Sequence, residues 1–177
     1  DLEDPMNLVK LAEPFPPTDI EWRIGRSGVK DDSGSPKVWA TCLAYLTNRA
    51  IMDRLDAVCD PENWRNEIKE WGIGTPGVLA GISIKIGDEW VTKWDGADQP
   101  DTEPVKGGFS NAMKRAAVLW GIGRYLYDLP EGFAVIDPKG RHYQPASKKQ
   151  DKPVPAFKWN PPDLPKWALP EAPAKAG

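Results

Sequence analysis

Residues 109–130 read FSNAMKRAAVLWGIGRYLYDLP and show the clearest pattern in the chain, that of an amphipathic helix. At about 100° per residue, one side of this helix is apolar and is expected to face a core: Phe109, Met113, Ala116, Ala117 and Trp120. Lys114 and Arg115 are neighbours on the opposite side. The spacing therefore predicts one long helix from about 104 to 128, with a core face and a basic face.

Two glycines, Gly121 and Gly123, lie within the apolar run of this helix. Glycine inside a helix is less favourable than alanine by about 1 kcal/mol, so two of them need a structural reason. Close packing of another element against the bare backbone is one reason, and a kink is the other. The spacing does not match a dinucleotide-binding fingerprint, because a third glycine is missing and no strand precedes the motif.

The rest of the chain alternates strand-like and helical segments, which indicates an α+β fold. Strands are predicted, in chain order, at 19–26, 38–46, 64–71, 77–86 and 89–96, with a small addition at 133–137. The first two are expected to form a hairpin whose long polar turn is SGVKDDSGSPK, residues 27–37. Residues 2–13 resemble a short helix, and residues 47–58 a second one with Thr47 as its N-cap.

Composition divides the chain into a folded part, 1–138, and a Pro/Lys-rich tail, 139–177. Eight of the 19 prolines lie in that tail, which favours an extended chain over a packed element. Its motif FKWNPPDLPKW would suit docking into a groove of another protein, such as a single-strand DNA-binding protein. A disordered tail without a partner is the alternative.

The formal net charge is −3, from 23 basic and 26 acidic residues, and it argues weakly against a nucleic-acid partner. Residues 104–128, however, carry a local excess of basic residues, and a binding site responds to the local potential. The 9 tryptophans are most simply core or subunit-interface residues, and stacking on unpaired bases is the alternative. No membrane-length apolar run or secretory signal is visible, so we expect a cytoplasmic protein.

Metal and cofactor chemistry finds little support in the sequence. Cys42, Cys59 and the single histidine, His142, do not make a zinc ligand set, and reduced, partly buried thiols are expected, with one disulfide as the alternative. Four acidic residues follow one another between 95 and 103: Asp95, Asp98, Asp101 and Glu103. The glycine of this loop is misplaced for a calcium loop, so we expect no metal and no cofactor. A solvated turn with a helix-capping acid is one reading, and a magnesium-dependent nuclease site is the alternative.

Three quoted segments resemble the Rad52/Rad22 family in its short bacterial and phage form. VKGGFSNAMKRAAVLWGIGRYLYDLP is similar to the family's signature helix. WATCLAYLTNRAIMDRLDAVCDPENW is similar to its strand and following helix, and GISIKIGDEWVTKWDGAD to its central hairpin. The similarity covers roughly residues 8–137, and the block from the basic pair to LYDLP is its most specific part.

The resemblance implies a β-hairpin and a curved antiparallel sheet packed on a long helix, in subunits that assemble into a homo-oligomeric ring. It also implies binding of single-stranded DNA in a basic groove and pairing of complementary strands without ATP, for recombination and repair. We therefore expect an annealing protein rather than an enzyme. A metal-dependent DNA nuclease that uses the acidic loop, and an adaptor that recruits partners through the tail, are the alternatives.

Carried over by position, the resemblance implies that Arg49, Lys114 and Arg115 contact phosphate in the inner groove. Val118 occupies a position that is basic in eukaryotic relatives, so the set of contacts is thinner here. Lys85, on the strand predicted at 77–86, is expected to be a second contact.

Overall fold

The computed structural model describes residues 6–32, 34–71, 77–98, 104–148 and 153–172. Within these residues the chain forms antiparallel sheets of strand order β1-β2-β6, β3-β4-β5 and β7-β9-β8, which confirms the α+β prediction. The strands are β1 (Ile20–Asp32), β2 (Ser35–Leu46), β3 (Trp64–Trp71), β4 (Gly77–Ile86), β5 (Glu89–Asp98), β6 (Gly132–Phe133), β7 (Val135–Ile136), β8 (His142–Gln144) and β9 (Phe157–Asn160). The α-helices are α1 (Asn48–Cys59) and α2 (Pro104–Leu119), and 3₁₀ turns lie at Leu8–Ala12, Pro17–Asp19, Pro61–Asn63, Arg124–Asp128 and Lys166–Ala168.

The first two strands form the predicted hairpin, and it is longer than the sequence suggested. β1 and β2 stay paired as far as Asp32 and Ser35. The long polar turn predicted over 27–37 is therefore wrong. Val29 and Val38 face each other within it, and such β-branched cross-strand pairs stabilise a ladder even where the flanking residues are polar.

The second sheet confirms three predicted strands: β3 and β4 have the predicted bounds, and β5 continues to Asp98. Alternate residues of β4 point into the main core and are exposed by 1% or less: Val78, Ala80, Ile82 and Ile84. A two-residue turn, Gly87 and Asp88, joins β4 to β5. Gly87 has a φ of +62°, which glycine adopts without strain at the first turn position.

α2 packs on this sheet with the apolar side that the sequence predicted. Ala112, Ala116 and Ala117 are fully buried and Met113 is 5% exposed, so the core face is confirmed. Trp120 follows the helix, and its indole N–H donates to the carbonyl oxygen of Ile82 at 2.9 Å. The small alanine side chains allow the helix to lie close to the strands.

The prediction of a helix to residue 128 is wrong, because α2 ends at Leu119. Two hydrogen bonds close its C-terminus: the N–H of Gly121 donates to the oxygen of Val118 at 2.9 Å, and the N–H of Ile122 to that of Ala117 at 3.1 Å. Together they form a Schellman motif, which requires a left-handed residue after the helix. Gly121 supplies it with a φ of +90°.

Both glycines also lie where another element approaches closely. A Cβ at Gly123 would stand 2.7 Å from Cδ1 of Leu46, and one at Gly121 would stand 3.3 Å from Cβ of Ala12. The close-packing interpretation is thus confirmed, and a helix stop rather than a kink accompanies it. Arg124 turns back, and its guanidinium donates to the oxygens of Val118 and Leu119, which gives these carbonyls at the helix end a further side-chain donor.

The N-terminal segment is anchored by one arginine. Residues 8–12 form a 3₁₀ turn rather than part of the α-helix predicted over 2–13, and residues 1–5 lie outside the described part. The Arg54 guanidinium donates to four backbone oxygens of this segment: those of Lys10, Leu11, Glu13 and Pro14. It also lies 3.8 Å from the centre of the Phe15 ring, and its pKa is lowered by burial.

The C-terminal segment is packed, so the prediction of an extended tail is wrong for the described part of 139–177. β9 pairs with β7 and β8, and Val154, Phe157 and Trp159 are buried in a second core with Ala40 and Cys42 of β2. β9 itself contains no proline and is the middle strand of its sheet, so the prolines on either side of it do not prevent pairing or close packing. The division of the chain at residue 138 stays a prediction. Among the described residues, no helix is long and apolar enough to cross a membrane.

Candidate nucleic-acid interface

An open groove of about 1690 Å³ lies beside the exposed side of α2. One wall is the hairpin, from Trp22 and Arg23 of β1 to Cys42–Leu46 of β2. The other walls are the ends of β4 and β5, the turn after α2, and the C-terminal segment around Asp163. The hairpin, the strands β4 and β5 and the helix α2 were predicted from sequence. The turn after α2 and the packed C-terminal segment were not.

Lys114 and Arg115 line this groove because the alanines around them hold the opposite side of α2 on the sheet. The ammonium of Lys114 lies 4.8 Å from the centre of the Tyr45 ring, and the side chain is half buried. Arg115 is more exposed, and its Nε lies 3.4 Å from Oδ1 of Asp95. The structure therefore places the two predicted cations of α2 side by side at one groove.

Arg23 is a third cation of the groove, which the sequence interpretation missed. Its guanidinium carbon lies 5.9 Å from the centre of the Tyr45 ring, so this ring has a cation from β1 and one from α2 beside it. The signal was present in the alternation of β1: Trp22 and Ile24 turn towards the cores, which leaves Arg23 on the groove side.

The electrostatics of the groove are mixed. Four carboxylates line it: Asp95, Asp98, Glu131 and Asp163. Asp95 contacts Arg115, and Glu131 pairs with Arg26 at 2.6 Å. Exposed ion pairs of this kind contribute about 0–1 kcal/mol, so an incoming anion can replace such a carboxylate at small cost.

The pKa of Lys114 is lowered, first by burial, while Glu21 raises it and Arg23 lowers it further. The pKa of Tyr45 is raised, first by burial and then by its hydrogen bond to Glu21. A partly desolvated ammonium beside an arginine lacks a full set of water ligands. A phosphate oxygen would restore a partner and favour the charged form.

Arg49 and Lys85 do not line the groove. Arg49 is exposed in the first turn of α1, after Thr47, whose side chain accepts the N-cap hydrogen bond predicted from sequence. Lys85 pairs with Trp90 near the β4–β5 turn. It lies six positions along β4 from Leu79, the nearest residue of that strand at the groove, which is roughly 20 Å along an extended strand. The structure thus brings together two of the four predicted site residues.

The acidic loop has two described members, Asp95 and Asp98, while Asp101 and Glu103 lie outside the described residues. Across the described ranges, no three His, Cys, Asp or Glu side chains are grouped so that they could hold a metal ion. Cys42 and Cys59 are buried free thiols, and burial raises the pKa of Cys59 to about 11. His142 stacks on Trp159, with ring centres 4.7 Å apart.

Comparison with known proteins agrees with the resemblance drawn from the sequence. Residues 7–144 match the sequence model of a family described as Rad52/22 family double-strand break repair protein. The chain belongs to the Rad52/Rad22 family. That match covers every element from the first 3₁₀ turn to β8, and so includes the hairpin, the second sheet, α2 and the three cations of the groove.

Two curated relatives of this Rad52/Rad22 member are similar along most of their length. One is the single-stranded DNA-binding protein DdrA of Deinococcus deserti, 35% identical over 165 residues, which are 92% of this chain and 69% of the relative. Another is the single-stranded DNA-binding protein DdrA of Deinococcus radiodurans, 33% identical over 165 residues, which are 92% of this chain and 67% of that relative. No solved structure matches the chain significantly.

Proposed function

We propose that this Rad52/Rad22 member binds single-stranded DNA in the groove and pairs complementary strands without ATP, in recombination or repair. The observation that carries the proposal is the cluster of Arg23, Lys114 and Arg115 on adjoining walls of one open groove. The names of the two relatives, which are single-stranded DNA-binding proteins, support the same ligand class.

Annealing requires positioning rather than bond chemistry. Cations that hold phosphates fix the path of a strand but carry no sequence information, which suits a protein that must accept any complementary pair. With the backbone held on the cationic walls, the base edges stay free to meet a second strand. Each phosphate contact releases counterions, so the affinity falls as salt is raised.

The ion pair between Arg115 and Asp95 acts as a weak competitor for the phosphate. Arg115 has a side-chain exposure of 57%, and its Nε contact with the carboxylate is 3.4 Å long. A phosphate with its geometry free to adjust can form a shorter, bidentate contact with a guanidinium. Binding therefore exchanges a loose exposed pair for a tighter one, and it leaves Asp95 to water.

We further propose that the subunits form a homo-oligomeric ring, as the resemblance implies. Three cations per subunit can hold only a short stretch of a strand. Repetition of the groove by assembly makes each further contact intramolecular, and the overall affinity can then greatly exceed that of one groove.

The test is a fluorescence-quenching annealing assay with Lys114→Ala/Arg115→Ala. We expect single-strand affinity and annealing to fall about tenfold or more, from the loss of two charge-assisted contacts. The matched control is Lys139→Ala/Arg141→Ala, a lysine and an arginine that are exposed outside the groove. Annealing at the wild-type rate by the groove variant, with its oligomer intact, would reject the proposed site.

A further inference from the structure

The groove continues along the hairpin into a second, shallower pocket of about 460 Å³. Its lining consists of Arg26, Lys30, Trp39, Thr41, Glu131 and Phe133. Glu131 and Phe133 also line the groove, so the two depressions share a border. The second pocket differs in chemistry, because two large aromatic side chains, Trp39 and Phe133, stand beside its two cations, Arg26 and Lys30.

Trp39 lies flat on the hairpin. It stands opposite Gly28 in the β1–β2 register, and a Cβ at Gly28 would be 2.7 Å from three atoms of the indole. One face of the ring is therefore laid on bare backbone, which only glycine permits. The side chain nevertheless remains 38% exposed, so a flat apolar surface is left open to solvent.

Phe133 extends this surface. It is paired with Thr41, which is two residues from Trp39 on β2, so both aromatic side chains point to the same side of the sheet. Diagonal neighbours of this kind have Cα atoms about 7–8 Å apart, within reach of large rings. Phe133 is 60% exposed, so both rings leave apolar surface open to solvent.

A cation completes the pocket. The side chain of Arg26 is 73% exposed, and its Nη2 contacts Oε1 of Glu131 at 2.6 Å. Its backbone N–H donates to the hydroxyl of Thr41, which holds the arginine at the edge of the aromatic surface. Aromatic rings beside a positive rim are the combination with which proteins hold unpaired bases, since every base has a flat face to stack.

We infer that Trp39 and Phe133 form a base-stacking subsite that takes unpaired bases of the same strand whose phosphates lie in the groove. The inference rests on the proposed function and adds a contact to the bases. A base stacked on Trp39 is withdrawn from its neighbours in the strand. The subsite would thus keep the strand free of its own secondary structure while the next nucleotides remain open for pairing.

The test compares two oligonucleotides of equal length and charge, one of thymidine and one with abasic sugars. Wild-type chain is expected to prefer thymidine, and Trp39→Ala/Phe133→Ala to reduce that preference by at least about fivefold, as base–aromatic stacking energies imply. The matched control is Trp167→Ala/Tyr143→Ala, with side chains 51% and 64% exposed outside both pockets. Lys114→Ala/Arg115→Ala, in contrast, should weaken binding of both oligonucleotides alike.

Photo-crosslinking of the wild-type chain supplies a second readout that needs no variant to fold. A strand with 5-iododeoxyuridine should form adducts on peptides that contain Trp39 or Phe133. The inference is overturned if the preference for thymidine survives in the double variant, or if adducts appear elsewhere only. It is also overturned if Trp39→Ala disperses the assembly and no adduct maps to the pocket, because the indole then contacts another copy. A wild-type chain that binds neither oligonucleotide would instead reject the proposed function itself.

Discussion

Lys114 joins two chemical requirements in one side chain. The proposed phosphate contact requires a charged side chain, yet burial lowers its pKa below the ordinary lysine value, with Arg23 adding to that effect and Glu21 opposing it. In the free folded chain the proton is therefore held less firmly than in the unfolded chain. Phosphate binding favours the charged form, so binding and protonation are linked at this residue.

This linkage predicts that the affinity for single-stranded DNA falls as pH rises through the lowered pKa of Lys114. Lys114→Arg keeps its charge and should move the fall to higher pH, whereas Lys139→Arg, at an exposed position, should not. Fluorescence anisotropy from neutral into alkaline pH measures the effect. Between the pKa of Lys114 in the folded chain and its higher pKa in the unfolded chain, the unfolded chain binds more protons. The contribution of Lys114 to the free energy of unfolding therefore increases as pH rises through this window. Superimposable curves for wild type and Lys114→Arg would contradict the assignment.

For individual residues, the sequence was informative where helical spacing alone determines which side of an element a side chain lies on. The spacing of α2 was enough to place Lys114 and Arg115 together on its outer side. Alternation along β1 puts Arg23 on the side opposite Trp22 and Ile24, but only the register of the hairpin brings it beside Tyr45. Arg49 and Lys85 were predicted from the family resemblance. Both lie away from the groove, and their contact with DNA stays a prediction.

The turn after α2 shows how an element ends in this fold. Gly121 and Gly123 have φ values of +90° and +72°, so both lie where other residues are strained. Gly123 carries a second requirement, because Leu46 of the hairpin packs on its bare Cα. The turn therefore stops the helix and attaches it to the hairpin, and both walls of the groove depend on it.

Gly123→Ala should lower the free energy of unfolding by more than Gly87→Ala. Gly87 has a φ of +62° with open space around it, so alanine there adds only left-handed strain, about 1–2 kcal/mol. Alanine at 123 adds the same strain together with displacement of Leu46. Urea denaturation of both variants measures the difference. Equal losses would show that the contact with Leu46 contributes nothing.

Element boundaries were the weakest part of the sequence interpretation, for a physical reason. The two glycines were recognised as costly, but only the left-handed backbone of Gly121 and the hydrogen bond of Ile122 reveal a stop rather than a kink. Likewise, the polar residues between 27 and 37 look like a turn because their strand pairing depends on partners across the hairpin rather than on local propensity.

The molecule as a whole includes its C-terminal segment. Trp159 is 2% exposed, stacks on His142 and shares a core with Cys42 of the hairpin, so this segment supports one wall of the groove. Composition predicted the opposite, since counts of proline cannot show whether Phe157 and Trp159 find a surface to cover. The same two aromatics are buried and so are not exposed for docking a partner.

Trp159→Ala should therefore lower the free energy of unfolding by about 3–5 kcal/mol. Trp159→Phe should cost less, because it keeps a ring against His142 and removes an indole N–H that has no hydrogen-bond partner in the described structure. Urea denaturation followed by circular dichroism provides the measurement. If both variants unfolded like wild type, the segment would be an independent tail.

The central claim is that the cations of one groove hold the phosphates of single-stranded DNA, and the salt dependence of affinity tests it most directly. The logarithm of affinity should fall linearly with the logarithm of salt concentration, and Lys114→Ala/Arg115→Ala should reduce the slope by about 1.4, or about 0.7 for each lost phosphate contact. Lys139→Ala/Arg141→Ala should leave the slope unchanged. An unchanged slope in the groove variant would place the phosphates elsewhere on the molecule and contradict the account.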